Sequence, residues 1–136
     1  MRILVAEDDF PSRVLVQRSL QPYGEVQVAV NGKQALAACE RAIATGRPFD
    51  LLCLDIMMPE MDGLVVLDRV RALELEAGIE GLARCRVLMV TALGDSRHVI
   101  TAFNSQCEAY LVKPFEKDDL LAKLAEMDLI PTPPSD

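Results

Sequence analysis

The sequence has 136 residues, is 51% hydrophobic and 26% charged, and carries a formal net charge of −7. That length supports one domain with a sizeable core, and the hydrophobic share excludes a disordered chain. The acidic balance, with no basic run to reverse it locally, argues against direct nucleic-acid binding, and no apolar run is long enough to span a membrane.

The N-terminus has no long apolar stretch before Glu7, so no signal peptide is expected. Cys39, Cys53, Cys85 and Cys107 form no Cys-x-x-Cys pair. Cys39, Cys53 and Cys107 sit among apolar or helix-forming neighbours and are expected to be buried free thiols. The expectation is a soluble cytoplasmic domain.

Arg2-Ile3-Leu4-Val5-Ala6 reads as a first strand, and it runs into Glu7-Asp8-Asp9. Pro11 suits the first turn of a helix. That helix runs to about Gln21, with Phe10, Val14, Leu15 and Leu20 as its apolar face, and Pro22-Tyr23-Gly24 stops it. Residues 25–29 alternate polar and apolar, as a less buried strand does. Asn31 with Gln34 resembles a capping box. It opens a second helix over about 31–45, with Ala35, Leu36, Cys39, Ala42 and Ile43 at helical spacing.

A third strand at 50–54 is an unbroken apolar run that ends on Asp55. Such a run reads as a strand buried on both faces. Met57-Met58-Pro59 then turns the chain, the two methionines serving turn and core packing, and Asp62 caps a third helix with Leu64, Leu67, Val70 and Leu73 as its stripe. A long connection follows from about 76 to 84 and is read as a tolerated loop insertion rather than a contact site. Residues 86–90 form a fourth strand ending at Thr91. A fourth helix begins near Asp95, and His98 near its start is read as exposed. Residues 109–112 form a fifth strand ending at Lys113-Pro114, and a fifth helix runs from about 116 to 127 with Leu120, Leu121 and Leu124 inward. The expected domain is 1–128, with a flexible tail at 129–136.

Strict alternation of strands and helices implies a doubly wound α/β fold, a (βα)5 parallel sheet with helices on both faces. Right-handed crossovers bring every strand's carboxyl end to one edge. That edge collects Glu7, Asp8, Asp9, Asp55, Thr91 and Lys113. Asp55 alone could be a loop cap or a site of chemistry. Several carboxylates brought together repel one another, and Mg²⁺, which prefers oxygen ligands, resolves the repulsion. A carboxylate so held can take a phosphoryl group as an aspartyl phosphate, with Lys113 and Thr91 neutralising the transferring oxygens.

With these motifs in place, the chain resembles a response-regulator receiver domain of two-component signalling, of the chemotaxis-regulator-like single-domain type. The matching stretches are 3–9, 54–63, Val90-Thr91-Ala92 and 110–115. The resemblance implies a flavodoxin-like sheet in the order 2-1-3-4-5, with its site at the switch between the first and third strands. It implies Asp55 as phosphoacceptor, Asp8 as a direct Mg²⁺ ligand, Glu7 acting through water, and the Met57 backbone carbonyl as a further ligand. It implies Thr91 and Lys113 as phosphoryl-binding groups and Thr91 and Tyr110 as switch residues. The family usually has two acids where Glu7, Asp8 and Asp9 stand, so the register is open by one. The implied partners are a histidine kinase or histidine phosphotransfer protein, a downstream protein contacting residues 95–127, and a second copy in a phosphorylation-dependent dimer. The chain is not expected to be an enzyme on external substrates.

Met57 and Leu93 are apolar at positions that flank the attacking water in the family, which implies a long-lived phosphoryl group. Two other readings compete. An unphosphorylated pseudo-receiver would have lost an acid, the Thr or the Lys, and none is lost. An Asp-nucleophile phosphatase of the haloacid-dehalogenase type needs a second Asp where Met57 stands.

Overall fold

The five stretches read as strands become five parallel strands. A computed structural model describes residues 1–92 and 107–131. Its strands are β1 (Arg2–Ala6), β2 (Glu25–Ala29), β3 (Leu51–Asp55), β4 (Arg86–Ala92) and β5 (Ala109–Lys113), in the order β2-β1-β3-β4-β5. The described helices are α1 (Phe10–Leu20), α2 (Gly32–Ala44), α3 (Gly63–Glu76) and α4 (Lys117–Glu126), the last being the fifth helix expected from the sequence. The expected fourth helix, with His98 and Leu93, lies outside the described residues.

Strand side chains alternate between two helical layers. Ile3, Val5, Leu51, Cys53 and Leu88 pack with Val16 and Leu20 of α1 and with Leu120 and Leu124 of α4. Leu4, Ala6, Leu52, Leu54 and Met89 pack with Ala35 and Leu36 of α2 and with Leu67 and Val70 of α3. β3 is buried along its whole length, as its unbroken apolar run requires.

Helix starts follow local chemistry. Asp9 caps α1 by accepting from the Ser12 N–H at 3.1 Å, and Asp62 caps α3 by accepting from the Val65 N–H at 3.0 Å. Asn31 caps α2 through the Gln34 N–H at 2.8 Å, but Gln34 reaches back to the Val30 N–H instead of the Asn31 N–H. α4 carries a full reciprocal box between Glu116 and Asp119.

Several expectations are corrected. α1 buries Val16, Ser19 and Leu20, while Phe10 is 66% exposed because it sits in the first turn, beyond the packed part of the helix. Of the methionine pair only Met58 packs in the core; Met57 is 59% exposed. α3 buries Val66, Leu67, Val70 and Glu74, with Leu64 and Leu73 only half-buried. Packing continues just past the expected domain end at residue 128. Ile130 is buried in the α1/α4 layer, and the Leu129 N–H donates to the Leu124 carbonyl at 3.0 Å.

The long connection is anchored at its two ends. It leaves α3 at Glu76, makes a 3₁₀ turn at Gly81–Ala83 and enters β4 at Arg86. At that entry Glu74 accepts the Cys85 N–H at 2.6 Å, and Arg71 donates to the Cys85 carbonyl at 2.9 Å. No helix among the described residues is long and apolar enough to cross a membrane.

Candidate functional site

Strand register sets the site. Ala6 pairs with Leu54, so Glu7 leaves β1 level with Asp55 at the end of β3. Asp55 pairs with Val90, which puts Thr91 one residue further along β4. Ala92 pairs with Lys113, so the lysine ends β5 at the same edge. The Lys113–Pro114 peptide bond is cis.

Glu7, Asp8 and Asp55 bring carboxylate oxygens within 4.8 Å of one another. Glu7 and Asp55 are buried and Asp8 is exposed. Lys113 Nζ lies 2.5 Å from Glu7 Oε1 and 3.0 Å from Asp55 Oδ2. Asp55 Oδ1 accepts the Met57 N–H at 3.1 Å. Each Asp55 oxygen therefore already has a donor.

One ammonium does not balance three carboxylates. Burial, together with neighbouring Asp55, raises the Glu7 pKa to about 8 despite the Lys113 contact. Burial works against the Lys113 ammonium too, but its hydrogen bonds to Glu7 and Asp55 outweigh that, and its pKa lies above the usual lysine value. The hydroxyl of Thr91 is buried with no hydrogen-bond partner among the described residues. A buried hydroxyl left unpaired is unfavourable, and a ligand oxygen would satisfy it. The donor set fits Mg²⁺, because it offers only hard oxygens and an excess of negative charge.

Asp9 belongs to the helix and not to this cluster. It caps α1, and its hydrogen bonds from Ser12 lower its pKa. Met57 has its N–H turned to Asp55, while its side chain faces solvent. Tyr110 is half-buried on β5, with Lys123 Nζ 5.7 Å from the centre of its ring.

Two contributors escaped the sequence reading. Arg13 Nη1 donates to the Glu7 carbonyl at 3.0 Å and to the Asp8 carbonyl at 3.4 Å, and so straps the acidic turn to α1. Its signal was a cation in the first turns of a helix that opens on an acidic run. Gly63 lets α3 approach the site. A Cβ there would stand 2.3 Å from the Asp55 carbonyl oxygen, and its N–H donates to the Ile56 carbonyl at 2.8 Å. Its position directly after the cap Asp62 was that signal. The loop before it holds Glu60 at φ 70, spanned by a bond from the Met61 N–H to the Pro59 carbonyl at 2.9 Å. That is a γ-turn.

The thiols take no part. Burial pushes Cys39 and Cys53 up to about 12 and Cys107 to about 11, and Cys85 also lies well above the usual range.

Comparison with known proteins agrees with this geometry. The family model of the response regulator receiver domain matches residues 3–125. The chain is 38% identical over 124 residues to the DNA-binding dual master transcriptional regulator RpaA of Synechocystis sp., covering 90% of this chain and 47% of that protein. It is 36% identical over 125 residues to the transcriptional regulatory protein DltR of Streptococcus agalactiae, covering 91% of this chain and 50% of that protein. The chain thus spans about half the length of these relatives. Among solved structures, a CheY-like response regulator receiver domain protein from Methanospirillum hungatei superposes with a TM-score of 0.75 at 28% identity, covering 93% of this chain and 91% of that one. Sequence, fold and the acidic edge of the sheet therefore agree: the chain belongs to the response regulator receiver family.

Proposed function

We propose that Asp55 accepts a phosphoryl group from a phosphohistidine of a histidine kinase or a histidine phosphotransfer protein. The observation that carries this reading is the meeting of Glu7, Asp8 and Asp55, with Lys113 paired to Glu7 and Asp55, beside the unpaired hydroxyl of Thr91. Asp8, Asp55 and the Met57 carbonyl would hold Mg²⁺ directly, and Glu7 would hold it through water. When bound, the ion offsets the charge that develops on the transferring group.

In the transfer, a carboxylate oxygen of Asp55 bonds to phosphorus as the P–N bond of the donor breaks, and the electron pair leaves with the imidazole nitrogen. Lys113 moves from its carboxylate partners to a phosphoryl oxygen, and Thr91 donates its hydroxyl to another. The product adds roughly two negative charges and strong acceptors at this edge. Thr91 and Tyr110 then shift together and change the partner surface expected over residues 95–127, of which 95–106 lie outside the described residues. The chain catalyses only its own phosphorylation and dephosphorylation.

Met57 is apolar at a position that flanks the attacking water in the family, so the phosphoryl group would be long-lived. Faster loss of the group in Met57→Asn than in wild type supports this; equal rates overturn it. The low charge balance keeps this chain off nucleic acid. Since the relatives are transcriptional regulators of which this chain covers about half, that reading applies to the receiver and not to any larger protein that carries it. We place the domain, over residues 1–128, in the cytoplasm, where its four free buried cysteines persist as thiols. A phosphorylation-dependent dimer fits the same switch.

The test is intact mass after incubation with Mg²⁺ and acetyl phosphate. One phosphoryl group should be added to the wild type and none to Asp55→Asn or to wild type in EDTA. Mass gain in Asp55→Asn would move the acceptor elsewhere.

A further inference from the structure

We propose that the cleft between β2 and α2 docks an extended acidic segment of a partner protein, which joins the sheet as a strand outside β2. The site is remote from the phosphoryl chemistry, and the proposal does not rest on it.

β2 is the outer strand of the sheet, and no strand flanks it among the described residues. Its sequence is Glu25-Val26-Gln27-Val28-Ala29. Edge strands are usually protected by Lys, Pro, a bulge or a covering element. β2 has no Lys and no Pro, and Val28 is exposed. An open edge offers backbone donors and acceptors to an extended chain.

A cleft of about 330 Å³ runs beside it. Its α2 wall is lined by Gln34, Ala37, Ala38, Arg41 and Thr45. The alanines leave room for incoming side chains. From Gln34 to Thr45 the wall is about 16 Å long at 1.5 Å per residue. About five residues of extended chain at 3.3 Å per residue have that length, and β2 itself is 5 residues long.

The charge of the cleft selects the occupant. Arg2, Arg41 and Arg47 all line it, although the chain carries a net charge of −7. Arg41 has no ion-pair or hydrogen-bond partner for its guanidinium among the described residues. Arg47 has only a loose 3.9 Å contact with Glu25, both side chains being largely exposed. Arg2 stacks over Phe49 at 4.7 Å and donates to the Arg47 carbonyl, which holds the Arg47 segment at the mouth of the cleft. Asp50 accepts from the Arg2 backbone N–H rather than from its guanidinium. The Nε of Arg2 is buried without a partner. Cationic side chains beside an open strand edge fit an extended segment whose carboxylates fall on one face, as alternate residues do.

The probe is the peptide acetyl-Val-Glu-Val-Asp-Val-Glu-Val-amide, titrated into the ¹⁵N-labelled full chain. Amide shifts are expected in residues 25–30 and 34–47. Replacing the acids with Gln and Asn, or N-methylating alternate peptide nitrogens, should weaken binding about tenfold or more. The double variant Arg41→Glu, Arg47→Glu should do the same while still accepting phosphate at Asp55, which verifies its fold; the altered peptides test the proposal on the wild type. Absence of shifts at about 1 mM peptide, shifts confined to residues 107–131, or equal binding of the altered peptides would overturn it. So would a dimer of the chain alone that Arg41→Glu abolishes, because the edge would then belong to a second copy.

Discussion

Buried charge occurs at both ends of the sheet, and the two clusters are built on opposite plans. At the end where β4 and β5 begin, the carboxylates of Glu74 and Glu108 meet two guanidiniums, those of Arg71 and Arg84. Glu74 Oε1 accepts from Arg71 at 2.7 Å and Oε2 from the Cys85 N–H at 2.6 Å. Both oxygens of Glu108 accept from Arg71 at 3.0 Å, and Oε2 also accepts the Val87 N–H at 2.5 Å. Arg84 stands 3.8 Å from the same carboxylate. At the other end three carboxylates meet with one ammonium, which pairs with Glu7 and Asp55, the Thr91 hydroxyl is unpaired, and Glu7 is pushed up to about 8. Burial of charge is common to both. What distinguishes the reactive end is its excess of negative charge and its unpaired hydroxyl, ready for an ion and a phosphoryl group.

The largest effect should come from breaking the closed cluster. Arg71→Ala would leave the buried Glu74 and the half-buried Glu108 without their shared cation. Breaking such a pair costs about 3–5 kcal/mol, a large share of the roughly 5–15 kcal/mol that holds a domain together. Urea unfolding should show that loss, while the molecules still folded take up a phosphoryl group as the wild type does. At the open end the result should reverse. Asp55→Asn should stop phosphoryl uptake entirely and leave urea stability unchanged or raised, because it removes one of three crowded charges. Lys113→Met should lose both, since the lysine is the cluster's only cation among the described residues and a phosphoryl ligand as well. A normal urea midpoint in Arg71→Ala would end the comparison.

A smaller effect sharpens it through pH. The Glu7 pKa rises from 4.5 to about 8 on folding. The folded, metal-free protein then binds more protons than the unfolded chain between those values. Stability from this group is complete below 4.5 and is lost as pH rises through about 8. Metal-free protein should therefore weaken from pH 5 to 8, and Glu7→Gln should flatten that slope. Mg²⁺ should oppose the loss and release protons as it binds near neutral pH. Calorimetric titration in buffers of different ionisation enthalpy reads the proton release directly.

The open end was legible in the sequence because its residues sit at fixed places on strand ends. An apolar run ending in Asp55, and another ending in Glu7-Asp8, need only the parallel topology to bring them together. The closed end was not legible. Arg71 and Glu108 are 37 positions apart, and no local pattern joins them. The one available clue was Glu74, four residues after Val70 on the buried face of α3. An acid at that place must find a partner. The α1 face was misread for a related reason. Phe10 reads as core by its hydrophobicity, yet it lies in the first turn with the Arg13 guanidinium over its ring at 5.4 Å. The buried positions Val16 and Leu20, spaced by four, carried the true stripe. The acidic run left one ambiguity, whether Asp9 or Glu7 joins Asp8, and helix capping resolves its place in the fold.

That ambiguity gives the smallest and most discriminating prediction. Asp9 spends its carboxylate on the Ser12 N–H, and Ser12 lowers its pKa from 3.8. A lowered carboxylate stabilises the fold above its unfolded value and loses that contribution as pH falls through the folded one. Asp9→Ala should thus cost a little stability at pH 7 and nothing in strong acid, and it should leave Mg²⁺ affinity nearly unchanged. Asp8→Ala should do the opposite, lowering Mg²⁺ affinity about 10–100-fold with little change in stability, because its side chain is exposed. Both variants are read by the same two measurements, a Mg²⁺ titration and a urea melt. If Asp9→Ala weakened Mg²⁺ as strongly as Asp8→Ala, the metal register would move one residue along the chain. Glu7 would then be a buried acid paired only with Lys113, and the pH slope would be independent of the metal.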